Sequence, residues 1–177
     1  MLDKNEIAEL PFFSDISKEK LEPIIPRWDL LEFQTNEIIF HQGDIAQNLY
    51  GVLDGEVELS IIVTDKIYKA DVEFEEAIHN RLEIIEKPIV VDTVGSREVF
   101  GWSSLVSPGR WTATARCSRA CKILSISAAD LNNMFDKDPE LGYILMCRLN
   151  QIISSRLQKR TDKLVETWVE AFDVDRV

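Results

Sequence analysis

The chain has little of what catalysis usually draws on. Only two histidines, His41 and His79, and three cysteines occur in 177 residues. That is too few imidazole and thiolate groups for the ligand cluster a metal-dependent barrel enzyme requires. No Ser-His-Asp or Cys-His arrangement is suggested by spacing, and no Walker-type or dinucleotide-binding glycine pattern is present. The expectation is a protein that is not an enzyme and holds no metal. Three cysteines cannot all pair and are few for a disulfide scaffold. Cys117 and Cys121 lie four apart in CSRAC. On one continuous strand they would sit about 13 Å apart, too far to share a metal ion, so buried thiols are the expected reading.

Long apolar runs are also missing. The run around 60–63 is strand-sized, and no run approaches the ~20 residues of a membrane span. The opening MLDKNEIAEL lacks the basic and apolar regions of a secretory signal. A cytoplasmic protein without membrane association is expected. Positive charge is scarce too: 20 Lys and Arg stand against 31 Asp and Glu, a net charge of −11. Such a surface argues against broad nucleic-acid binding, which works by releasing counterions from phosphate. One stretch departs from this balance. Between 147 and 163 the bases Arg148, Arg156, Lys159, Arg160 and Lys163 face a single acid, Asp162, and read as the solvated face of a helix.

What is present suits a globular domain. Hydrophobic residues make up 45% and charged residues 29%, and the length suggests one domain with an appended element. After LPFF, Ser14 is placed to cap a helix whose apolar face is Ile16, Leu21, Ile24 and Ile25. From Arg27 the pattern becomes β-favouring. Gly43-Asp44 closes a turn, and Asp54-Gly55 between apolar runs signals a hairpin. Across 66–86, Val72, Phe74, Ala77, Ile78, Leu82 and Ile85 are spaced more like a helix, and the segment reads as an insertion outside the β core. Strand signals resume at KPIVVDTVGSREVFG, and AADLNNMFDKDPE reads as a short helix. From Pro139 to about Trp168 an apolar residue recurs every three or four positions, which predicts one long helix. Residues 1–138 are therefore expected to form a β domain with flanking helices, and 139–177 a long helix and tail. A helix that long exceeds what a small β domain can cover, so a homodimer through it is expected.

Four stretches together carry a family resemblance: LPFFSDISKEKLEPI, IIFHQGD, LYGVLDGEVEL and VGSREVFGWSSL with TATARC. They resemble the cyclic-nucleotide-binding domain family, which includes the catabolite-activator and Fnr regulators and the regulatory subunits of cAMP-dependent kinase. The resemblance spans about 10–168, apart from 66–86. It implies a mainly β fold, a β-roll of the jelly-roll or double-stranded β-helix kind, followed by a long C-terminal helix. It also implies a phosphate-binding cassette after Gly101. There Gly101, Trp102, Ser103 and Ser104 would open a short helix whose backbone N–H groups face an anion. Ser103 and Ser104 would add hydroxyl donors.

Two departures bear on the ligand. Trp102 stands where the family places a glutamate that accepts from the ribose hydroxyl, and indole offers a donor but no acceptor. Trp111 stands where the family places the phosphate-pairing arginine, with Arg110 one residue early and Thr112 one residue on. Loss of the phosphate contact costs about 1.5–3 kcal/mol, and an unpaired hydroxyl about 1–3 kcal/mol. The two indoles fill the pocket, or they stack on a base or another flat ligand. Both readings stay open here, as does the direction of Arg110. The candidate ligand-binding residues are Gly101, Trp102, Ser103, Ser104, Arg110, Trp111 and Thr112. A cyclic nucleotide or small anion is the candidate ligand, with no cofactor assigned.

Two functions follow. One is a stand-alone regulatory sensor with weak or absent cAMP binding. The other is a dimeric interaction module that has lost its ligand and acts through a protein partner. Relatives that bind DNA carry a helix-turn-helix after the long helix. Here only VEAFDVDRV follows Trp168, too short and acidic for that route.

Overall fold

Alternating apolar residues from Asp29 to Ser127 build two antiparallel sheets packed face to face. The computed structural model describes residues 7, 10–14, 16–71 and 79–172, the side chains of 18, 65–71 and 79–84 excepted. The strands are β1 (Asp29–Phe33), β2 (Ile38–Phe40), β3 (Asn48–Asp54), β4 (Glu56–Asp71), β5 (His79–Gly95), β6 (Val99–Phe100), β7 (Thr114–Cys117) and β8 (Cys121–Ser127). Among the described residues, one sheet runs β1-β8-β3-β6 and the other β2-β7-β4-β5. Helices α1 (Lys18–Leu21), α2 (Ala128–Lys137) and α3 (Pro139–Phe172) flank the roll. This is the mainly β roll with a long C-terminal helix that the resemblance implied.

The period of two sorts side chains between two cores. On β8, Cys121 and Ile123 point into the roll with Tyr50, Val52, Val57 and Phe100. Leu124 and Ile126, on the same strand, point out toward the helices and join Phe13, Leu131, Leu141, Leu145 and Leu149. β8 is thus buried on both faces, which explains its near-continuous apolar run.

The N-terminal region is less helical than its apolar spacing predicts. Pro23 and Pro26 interrupt it: α1 has four residues, and Pro11–Phe13 and Ile25–Arg27 are 3-10 turns. Ser14 does not cap a helix here; its hydroxyl donates to the Pro11 carbonyl at 2.9 Å. By contrast α2 has a well-made start. Ser127 Oγ accepts from the Asp130 N–H at 3.0 Å and donates to the Asp130 carboxylate at 2.7 Å. This bond, with Arg27 beside it, holds the Asp130 carboxyl below its ordinary range. Gly142 lets α3 cross α2 closely, because a Cβ there would lie 3.0 Å from Phe135 Cβ.

The helical spacing read across 66–86 is a correction. Residues 66–71 and 79–86 continue the β4–β5 ladder, with Lys66 opposite Ile84 and Asp71 opposite His79; Val72, Phe74, Ala77 and Ile78 lie outside the described residues. β7 pairs with β4 only from Val57 to Ser60, so beyond that point the hairpin has two strands. Ile62, Val63, Ile89 and Val90 are exposed on it.

Cys117 ends β7 and Cys121 begins β8, with a turn between them, so they do not share one extended strand. Both are buried, and Cys147 on α3 is exposed. Burial, with Cys121 adjacent, pushes the Cys117 thiol up to about 12. A thiol reagent added to the native protein is expected to label Cys147 quickly and the other two only on unfolding. Three fast-reacting thiols would contradict this packing.

Candidate functional site

The turn that the resemblance implied as a cassette starts where β6 ends. Gly101 has φ 86°, a left-handed conformation that glycine adopts freely. A Cβ there would lie 2.9 Å from Tyr50 Cδ2 and 3.0 Å from the Asn48 carbonyl. The turn can therefore press against β3 and enter the 3-10 segment Trp102–Leu105. Ser104 donates both its N–H (3.1 Å) and its hydroxyl (2.9 Å) to the Gly101 carbonyl. Its hydroxyl closes the turn rather than serving a ligand. Ser103 is buried against the cleft.

Four aromatic rings occupy the roll beside this turn. Trp111 is 5% exposed, and its ring stacks on Phe40 with centroids 3.9 Å apart and planes 12° from parallel. Tyr50 stacks on Phe100 at 5.1 Å, and Phe40 lies 5.7 Å from Tyr50. Burial raises the Tyr50 hydroxyl above its ordinary range. Trp111 is thus a filling side chain.

Arg110 turns the other way. Its guanidinium donates to the Gly43 carbonyl at 2.7 Å, and its backbone bridges to Ile45. The Trp111 N–H donates to the Asp44 carbonyl at 3.0 Å, and the Ala46 N–H to the Gly109 carbonyl at 2.7 Å. These bonds fasten the loop before Trp111 to the 43–46 turn and keep Arg110 off the cleft wall.

A cleft of 230 Å³ remains. Its walls are the cassette turn from Gly101 to Ser103, the strand approach from Trp111 to Ala113, Phe40 and Leu59 of the roll, and Ile153, Arg156, Leu157 and Arg160 of α3. Of the residues proposed from sequence, Gly101, Trp102, Ser103, Trp111 and Thr112 come together here, and Ser104 and Arg110 do not. A wider cleft of 510 Å³ lies beyond Arg156, between Phe12, Val99 and Gln151, away from Trp111.

Positive charge reaches the site from α3, which the reading of 147–163 as a solvated face missed. Arg156 is 6% exposed. Its guanidinium lies 5.0 Å from the Trp102 ring centroid, an arrangement the ring quadrupole favours. Its Nη2 donates to the Val99 carbonyl at 2.9 Å. Asp92 and Glu98 each approach it at 3.9 Å, and Arg160 contacts Asp92 at 3.2 Å. Burial pulls Arg156 below its ordinary range, opposed by the two carboxylates. The spacing of four between Arg156 and Arg160, with Ile152 and Ile153 ahead of them, was the available signal. It places the two bases on the face that meets the roll.

Among the described residues no group of three or more His, Cys, Asp or Glu side chains converges as a metal site would. No described helix is long and apolar enough to cross a membrane.

Comparison with known proteins agrees with this geometry. A structure of a protein from Geobacter metallireducens named for cyclic nucleotide binding is 25% identical, with a TM-score of 0.67, over 89% of this chain and 99% of that one. The catabolite activator protein of Thermus thermophilus shares the fold at a TM-score of 0.59 and 21% identity, over 90% of this chain and 64% of its own. A Rhodopseudomonas palustris protein named as a potassium channel is 20% identical over 150 residues, 85% of this chain. This chain spans 30% of that relative's length. The sequence profile of the cyclic nucleotide-binding domain matches residues 30–138. Cyclic nucleotide-binding domains are generally regulatory. With that profile matched over more than half of the chain, on a two-sheet roll followed by a long helix, the chain belongs to the cyclic nucleotide-binding domain family.

Proposed function

We propose that this domain is a regulatory sensor whose cassette cleft takes a small anion and binds cAMP and cGMP weakly or not at all. One observation carries the reading: Trp111 lies stacked on Phe40 inside the roll, and the resemblance sets it against the family's phosphate-pairing arginine. The cleft beside it, 230 Å³, is below the roughly 300–1,000 Å³ of sites for larger ligands. Trp102 supplies no acceptor for a ribose hydroxyl. Calorimetric titration of cAMP and cGMP is expected to give affinities weaker than micromolar. A micromolar or tighter constant would overturn the reading.

The sensor acts as a dimer joined through α3. Leu157, Leu164, Val165, Trp168 and Phe172 are exposed on its second half, an apolar patch that suits a second copy of the same helix. A protein-interaction role without ligand is favoured by a separate feature, the exposed Ile62, Val63, Ile89 and Val90 on the hairpin. Failure of every anion to bind, with dimerisation intact, would leave that second reading standing.

A further inference from the structure

We infer that the charge which binds ligand in the cassette cleft comes from α3: Arg156 and Arg160 hold the carboxylate of a small organic acid whose apolar body rests on Phe40, Leu59 and Trp111. The inference rests on the sensor reading above and names the ligand class and the groups that recognise it.

The only charged side chains in the cleft wall are two guanidiniums, those of Arg156 and Arg160, among its described residues. Asp92 and Glu98 contact these groups but form no part of the wall. Arg156 is nearly fully buried, and its Nη1 makes no hydrogen bond among the described residues. A buried N–H of a charged group without an acceptor is costly, and such groups are uncommon in native structures. Its nearest carboxylate, Asp92 Oδ2, stands at 3.9 Å, and a turn of the guanidinium toward the cleft that Arg156 lines would let a ligand oxygen satisfy it. Arg160 is only partly covered and is tied to Asp92 by one contact, so it can turn to meet a second oxygen. Paired guanidinium N–H groups suit a carboxylate well.

Size and lining narrow the class. The cleft's 230 Å³ exceeds the ~150 Å³ of an engineered cavity that holds benzene. It falls short of the roughly 300 Å³ at which drug-sized sites begin. A single ring or a short branched chain fits. Bare phosphate would lose its hydration against Phe40, Leu59 and Trp111 with nothing in return from those walls. An organic acid instead gains by burying its apolar part.

The same geometry supplies a readout. Asp92 lies on β5, whereas both arginines lie on α3. A carboxylate that takes Arg160 competes with Asp92 and releases one tie between helix and sheet, so occupancy is felt by α3 directly.

Benzoate and inorganic phosphate titrated by calorimetry into the full chain test this. Benzoate is expected to bind about tenfold or more tightly than phosphate. Arg160→Ala, in a protein whose unfolding temperature is checked, should weaken benzoate by about tenfold or more. Asp92→Asn, which removes the competitor, should strengthen it. Benzoate affinity unchanged in Arg160→Ala would overturn the assignment to α3 while leaving the sensor reading intact. Phosphate binding more tightly than benzoate would overturn the organic-acid class. Wild-type protein that binds neither would bring down the sensor reading itself.

Discussion

Trp111→Ala will destabilise the domain by about 3–5 kcal/mol. The indole is buried and stacked on Phe40, and lies 6.1 Å from the Tyr50 ring. Its Cη2 would be 3.4 Å from a Cβ built on Gly101. Removing the ring takes away contacts on both faces and leaves a void that the sheets, pinned by their ladders, can close only in part. Trp111→Phe keeps one stacked ring and should lose much less. Urea unfolding with unchanged denaturant slope reads the difference directly. A Trp111→Ala variant within about 1 kcal/mol of wild type, well below the cavity cost expected here, would show that the ring does not fill the roll.

In the dimer proposed above, a glutamate at Leu164 or Trp168 is expected to leave a monomer. α3 is packed over its first half, where Leu141, Leu145 and Leu149 enter the core. Beyond Arg160, which still reaches Asp92 on the sheet, the helix leaves the roll: Trp168 is 62% and Phe172 69% exposed, and Leu157 is already 65%. Leu157, Thr161, Leu164 and Trp168 are spaced four, three and four apart, the alternation of fours and threes that keeps one seam facing a partner helix. Two copies aligned along this seam bury the same residues from each side. A carboxylate at position 164 or 168 would be desolvated opposite its own copy, which association cannot repay. Sedimentation should show the dimer mass for wild type and half of it for Leu164→Glu and Trp168→Glu. Wild-type protein that stays monomeric at all concentrations would contradict the seam.

Much of this architecture was legible in residue order. The period of two, the glycine turns and the run from Pro139 announced a roll and a long helix, because both depend on local pattern. The hairpin was not legible. Leu82 and Ile85 keep a helical spacing, yet they lie in β5 opposite Tyr68 and Asp65, and beyond the third strand the hairpin has no buried face to impose a period of two. Pro23, inside the helix read from Ser14 to Ile25, was the signal missed, because proline there removes a backbone donor. At the site, Trp111 could be placed from its neighbours, but whether it filled the pocket depended on Phe40, seventy-one positions earlier, lying beneath it. Arg110 was ambiguous for the same reason: its partner, the Gly43 carbonyl, belongs to a separate turn. Arg156 misled most. A base among Arg148, Lys159, Arg160 and Lys163 looks solvated in sequence, and only packing against Trp102 and Val99 buries it.

The central claim is that the roll is closed to a cyclic nucleotide by its own indole. A crystal structure determined with millimolar cAMP in the drop tests it most directly. The account predicts Trp111 stacked on Phe40, Arg156 over Trp102, and no nucleotide against the turn from Gly101 to Ser104. A nucleotide bound there, with its phosphate on the turn's backbone and the Trp111 ring swung out of the roll, would contradict it.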